Sequence, residues 1–187
     1  MWANRSFFEP SYIERMDALL ASDDCPDAIV VMVDCWTSYG GSQFLDSTGT
    51  GKYQSYLCDE VVPFVDERYP TDPDRERRGI TGKSSGGYGA MVVPMMRPDV
   101  FSALASHAGD ALFELSMTPS IADATRVLRD HFDSSYEVFF EQLPDADPMV
   151  FDRWAPPLEI YGYAAAYSPD PERPGRALVP FRVANAG

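Results

Sequence analysis

The stretch Ile80-Thr81-Gly82-Lys83-Ser84-Ser85-Gly86-Gly87-Tyr88-Gly89-Ala90 constrains this chain more than any other. Gly82 and Gly86 flank Ser84 at a spacing suited to one local structure: a strand that ends, a sharp turn, and a helix that begins at once. The residue at the apex of such a turn sits in a strained backbone conformation with its side chain pushed outward. Glycines beside it are expected because a Cβ there would collide with the neighbouring strand and helix. The first turn of the helix offers unsatisfied N–H groups and positive potential to any negative charge that develops beside the serine. Gly82-Lys83-Ser84 also resembles the end of a phosphate-binding P-loop, but that loop needs a glycine five residues earlier, where this chain has Arg77. Lys83 is therefore read as a side chain packed or solvated beside the strand.

The flanking sequence supplies strands and helices in alternation. Ala28 to Val33 is a continuous apolar run rich in β-branched residues, which predicts a strand buried on both faces of a parallel sheet. Arg78 to Gly82 is a short strand feeding the turn, Ser85 to Met96 is the helix behind it, and Val100 to Ser106 is the next strand. Residues 10–21 predict a helix with Ser11 as N-cap and Glu14 closing a capping box. Residues 52–69 predict another, with Pro63 as a site of kinking. The Gly-, Ser- and Thr-rich stretch 37–51 predicts a long loop at the C-terminal end of the first strand, where open α/β sheets gather functional loops. The fold class expected is α/β, with about three parallel strands joined by helical crossovers.

Past residue 110 the pattern turns helical, over 120–132, 134–142 and 157–167, with no buried-strand run. Three regions are expected: 1–110 as the α/β core, 111–167 as a helical insertion or cap over the site, and 168–187 as an irregular tail.

Composition excludes several classes of partner. The net charge of −14 disfavours nucleic acid and anionic membranes, which both select a basic face. No apolar run approaches a membrane span, and residues 1–5 lack the apolar core of a signal peptide. Cys25, Cys35 and Cys58 form no metal-ligand spacing, and with only His107 and His131 beside them no metal or cofactor is expected. An odd number of cysteines suits a reducing, cytoplasmic setting.

Around Ser84, strand-end placement marks Asp34, Trp36, His107 and Asp110 as pocket candidates, and Tyr88 lies one turn along the helix. Trp36, Tyr39, Phe44 and Tyr88 together offer an apolar acyl or aryl pocket. His107 closes the strand right after the turn, too early for a catalytic base. His131 follows several acids but falls within a helical pattern.

Asp34-Cys35-Trp36, Gly40-Gly41-Ser42-Gln43, Tyr56-Leu57-Cys58-Asp59-Glu60, the stretch 82–90 and Ser106-His107-Ala108-Gly109-Asp110 carry a family resemblance. Over roughly residues 1–115 the chain resembles the α/β-hydrolase esterases that include esterase D (S-formylglutathione hydrolase), the enterochelin esterases and the antigen 85 mycolyltransferases. The resemblance implies a nucleophile elbow with Ser84 as nucleophile and the Ser85 N–H as oxyanion donor. It implies a small ester or thioester as substrate, with acyl transfer or a non-catalytic binding role as alternatives. In such folds the acid and histidine follow the serine on later strands, and the second oxyanion donor precedes it. Neither is found here, so the chain is expected to be the middle of a longer hydrolase, with impaired activity and with sheet edges that invite self-association.

Overall fold

A computed structural model describes residues 10–23, 25–145, 150–179 and 181. The chain divides into two compact units, Met1–Met32 and Val33–Gly187. In the first, α1 (Tyr12–Leu20) begins at Ser11, whose Oγ accepts the Glu14 N–H while the Glu14 carboxylate accepts the Ser11 N–H. This is the capping box expected from the sequence, and it satisfies two donors that a helix start leaves free.

The strand expected over Ala28–Val33 does not form: residues 26–35 carry no strand assignment, and Ile29, Val30, Val31 and Met32 are 39–47% exposed. A run of this kind becomes a strand only when a neighbour accepts and donates its ladder hydrogen bonds, and no described residue pairs with it.

The second unit opens with two short hairpins inside the stretch expected as loop. β1 (Trp36–Thr37) pairs antiparallel with β2 (Gly40–Gly41), and β3 (Asp46–Ser47) with β4 (Gly51–Lys52). The helix expected over 52–69 is present in three registers: α2 (Tyr53–Ser55), a π-helical stretch Tyr56–Val61, and α3 (Val62–Arg68). Pro63 falls in the first turn of α3, directly after the π-helical stretch.

β5 (Gly79–Lys83) leads through Ser84 into α4 (Ser85–Met96), and the chain returns as β6 (Ala103–His107). β5 and β6 pair in parallel from Gly79↔Ala103 to Lys83↔His107. This β-α-β unit is the α/β kernel of the molecule, since parallel neighbours need a crossover and α4 supplies it. Of the three parallel strands expected, two are formed. Val100 and Phe101, read as the start of the second, lie before it and are buried with Leu57, Cys58 and Val93 in the first hydrophobic cluster, against which Val33, Phe44 and Ile80 pack.

α5 (Phe113–Ser116), α6 (Thr118–His131), α7 (Tyr136–Gln142) and α8 (Phe151–Tyr167) follow. α8 starts six residues before the 157 expected from sequence, with Pro156 and Pro157 inside it. Both lie beyond the first four residues of the helix, so each forfeits an intrahelical bond, to the Asp152 and Arg153 carbonyls respectively. Leu128, Phe132 and Phe139 form a second core cluster with Trp154 and Leu158 of α8 packed on it. The other side of α8 is made of small residues and lies against the hairpins. A Cβ on Gly49 would approach the Ala165 carbonyl oxygen to 2.3 Å, and one on Gly162 would approach that of Tyr39 to 2.5 Å. Ser47 Oγ donates to the Ala165 carbonyl. Among the described residues after α8 there is one isolated bridge, Pro169 with Ala177.

Candidate active site

Ser84 stands between the last residue of β5 and the first of α4, at φ 56° and ψ −122°. An L-residue seldom adopts this region, and holding it there costs about 1–3 kcal/mol. The surroundings enforce it. The Ser84 N–H donates to the His107 carbonyl at 3.0 Å, extending the β5–β6 ladder by one bond, and its carbonyl accepts the Tyr88 N–H at 2.9 Å as the first bond of α4. With both backbone groups fixed, the side chain projects outward and is exposed.

Close approach explains most of the glycines. A Cβ on Gly82 would lie 2.3 Å from the carbonyl carbon and oxygen of Gly86, and one on Gly87 would lie 2.8 Å from Gly109 Cα. One on Gly89 would enter the Phe44 ring, at 2.5 Å. Gly86 departs from the expectation: a Cβ there would meet nothing within 4 Å. The face of α4 that lies close to its neighbours is Gly87, Gly89, Ala90 and Val93.

Ser85 opens α4, so its N–H belongs to the turn whose donors have no intrahelical acceptor. Its Oγ accepts from Gln43 Nε2 at 3.3 Å. Gln43 in turn accepts at Oε1 from the Tyr167 hydroxyl at 3.2 Å. Gln43 is 4% exposed, and both it and Phe44 have left-handed φ, 56° and 57°. Sequence reading missed Gln43. Two successive left-handed residues without glycine give no compositional signal, and its partners lie 42 and 124 residues away.

Tyr88 lies one turn along α4, with ring centroids 5.9 Å from Phe113 and 5.4 Å from Tyr167, and Phe113 and Tyr167 are 5.1 Å apart. Three helices thus contribute one aromatic cluster next to the turn. Asp110 lies within electrostatic range of Tyr163, Tyr167 and Glu159. Its Oδ2 is buried and has no hydrogen-bond partner among the described residues. Burial, then the Asp110 charge, raises the Glu159 carboxyl above its usual range. Burial, then neighbouring charge, likewise pushes the Tyr163 and Tyr167 hydroxyls upward.

A family model described as "Putative esterase" matches residues 14–142. The chain belongs to that family. The family implies an α/β-hydrolase-like fold, in keeping with the helices and parallel strand pair of this chain. It is also similar to an endo-1,4-beta-xylanase/feruloyl esterase of Xylanibacter ruminicola, 30% identical over 91 residues. That alignment covers 46% of this chain and 12% of the relative, so the chain spans a small part of the curated relative it matches.

The remaining residues singled out in this esterase-family sequence lie in other places. His107 acts at the turn through its main-chain carbonyl, and its side chain is exposed. His131 ends α6 with its ring 6.3 Å from that of Phe132. No described imidazole hydrogen-bonds the Ser84 hydroxyl. Tyr39 packs edge-on against Tyr161 of α8, and Phe44 covers α4 at Gly89, so neither joins Tyr88. Asp34 and Trp36 line a separate cleft of about 530 Å³ with Lys52, Tyr53, Tyr56 and Glu60. Between them Cys35 points inward. Burial, with the Asp34 charge behind it, raises its thiol from 9.0 to about 11, which keeps it protonated and poorly nucleophilic at neutral pH.

Proposed function

We propose that the chain is a serine-nucleophile ester hydrolase in which Ser84 forms an acyl-enzyme. The observation that carries this reading is the backbone of Ser84, strained and exposed at a strand-to-helix turn, with the N–H groups of a twelve-residue helix directly behind it. Ser84 Oγ attacks the carbonyl carbon of an ester or thioester, and its proton leaves as the C–O bond forms. The negative charge moves to the carbonyl oxygen and rests on the Ser85 N–H at the positive end of α4. Collapse of the tetrahedral species expels the alcohol or thiol, which takes up a proton. Water then releases the acid and restores the serine.

The hydrogen bonds that link Gln43 to Ser85 and to Tyr167 hold the first residue of α4 in register with the turn. In this reading 111–167 is a helical cap that borders the acyl position with Tyr88, Phe113 and Tyr167. The feruloyl esterase relative fits an aryl-substituted acyl group at that position.

With no imidazole bonded to Ser84, proton removal falls to solvent, and turnover is slow. A fluorophosphonate probe should label Ser84 at a rate that rises about tenfold per pH unit between neutral and mildly alkaline pH, as for specific base catalysis. Added imidazole should accelerate labelling and the hydrolysis of a p-nitrophenyl ester, and Ser84→Ala should abolish both. Labelling that persists in Ser84→Ala would overturn the nucleophile assignment. Fast turnover with no response to imidazole would show that a resident base serves the serine.

A further inference from the structure

The cleft that holds Asp34 and Trp36 shares no lining residue with the Ser84 turn. All of its lining residues belong to the second unit. Three are aromatic. Trp36 is 60% exposed, unusual for the largest apolar side chain, and Tyr53 and Tyr56 meet edge-to-face at 6.3 Å and 80°. The backbone beneath Trp36 is pinned on both sides of its α-carbon. Its N–H donates to Asp34 Oδ1 at 3.0 Å, and its carbonyl accepts the Tyr53 hydroxyl at 2.8 Å. The Tyr53 hydroxyl is thereby occupied by the protein. The Trp36 main chain and the Tyr53 ring are thus held before any ligand arrives, which lowers the entropic cost of binding.

The rim is charged. Asp34 and Glu60 carry two carboxylates and Lys52 one ammonium, and none of the three is in an ion pair among the described residues. An anion would face two carboxylates on the rim and a protein of net charge −14 beyond it. A wholly apolar ligand would strip water from the carboxylates with nothing in return. No described group of three or more His, Cys, Asp or Glu side chains could hold a metal ion, and aromatic walls would offer a strongly hydrated cation little. A bulky organic cation suits the aromatic and the acidic walls together, with the Lys52 ammonium set on the rim. Aromatic faces attract it, tryptophan most strongly, the carboxylates neutralise it, and its weak hydration makes desolvation cheap. The volume of about 530 Å³ is in the range of small-molecule sites.

We infer that this cleft is a binding site for a quaternary or other alkylated ammonium group, caged by Trp36, Tyr53 and Tyr56 and neutralised by Asp34 and Glu60. Lys52, on the same rim, favours ligands that carry a carboxylate beyond the ammonium.

The test is a titration of the full chain with choline, followed by the NMR signal of the Trp36 indole N–H. Its uncharged isostere 3,3-dimethylbutanol and a xylo-oligosaccharide serve as comparisons. Choline should give a saturable shift, and the isostere should bind about tenfold more weakly, the size of one desolvated cation–π contact. Glu60→Gln should weaken choline binding and leave the isostere unchanged. Trp36→Ala should abolish the choline affinity, which calorimetry would show. Equal binding of choline and its isostere would overturn the proposal, as would binding of the oligosaccharide in place of choline, or no saturable response to choline. The wild-type comparison decides the matter even where a variant folds poorly. It is also independent of Ser84 chemistry, so Ser84→Ala should bind choline as the parent does.

Discussion

A side-chain atom added at Gly82 has nowhere to go. It would sit 2.3 Å from the main chain of Gly86, and main chain cannot swing aside as a side chain can. At Gly86 itself the same atom enters open space, and its φ is not in the left-handed region. The two glycines of the Gly-x-Ser-x-Gly pattern therefore answer differently to alanine. Gly82→Ala is expected to cost about 1–3 kcal/mol, as overpacking does, and to lower the rate of probe labelling at Ser84. Gly86→Ala is expected to leave stability unchanged or raise it by about 0.5–1 kcal/mol through helix propensity. Urea melts of the two variants check this, and equal destabilisation would show that the main chain does not pack this closely at Gly82. The turn at Ser84 was legible in the sequence because a strand, a glycine with no room for a side chain and a helix start follow in immediate succession. Gln43 was not, since it owes its place to two hydrogen bonds with residues remote in the chain. Asp34 and Trp36 were expected at the end of a strand that does not form, and spacing along the chain did not show that they share a cavity apart from Ser84.

At the scale of elements, the clearest dependence is between α8 and the hairpin segment that carries Gln43. The Tyr167 hydroxyl reaches Gln43, Ser47 reaches back to Ala165, and Tyr39 reaches past the helix to the Gly175 carbonyl at 2.9 Å. Tyr167→Phe removes the hydroxyl and leaves the buried Gln43 oxygen without its donor, which should cost about 1–3 kcal/mol. A double-mutant cycle with Gln43→Met should give a coupling energy of about 0.5–1.5 kcal/mol, the net value of one such bond, and strict additivity would rule the link out. α1 was legible from its capping box, α6 from its helical pattern, and α4 from the glycine-flanked serine that precedes it. The start of α8 was not, because Pro156 and Pro157 read as breakers and only packing on Phe132 and Phe139 sustains the turns before them. The run 28–33 misled for the reverse reason: its composition asks for a strand, but a strand exists only where another pairs with it.

For the molecule as a whole, two opposed terms set its behaviour in solution. β5 and β6 pair only with each other among the described residues, and β6 is exposed along its length, with Leu104 at 49%. Unpaired ladder groups and open apolar faces favour association with another copy. A net charge of −14 opposes it at a range that salt shortens. Sedimentation velocity should therefore show mostly monomer at low ionic strength and growing association as salt is added. A monomer at every salt concentration would mean that the sheet edges are not available for pairing.

The tie between Gln43 and Tyr167 also bears on the order in which the chain can be finished. The two are 124 residues apart, and the serine at 84 lies between them. On a ribosome, residues 79–107 can emerge and pair while the helix that braces them is still unmade. Contacts of such long separation form late, after the local ones, because the loop they close is entropically costly. The turn at Ser84 can thus exist in a nascent chain before its final surroundings do, and the window closes only when α8 leaves the tunnel and docks.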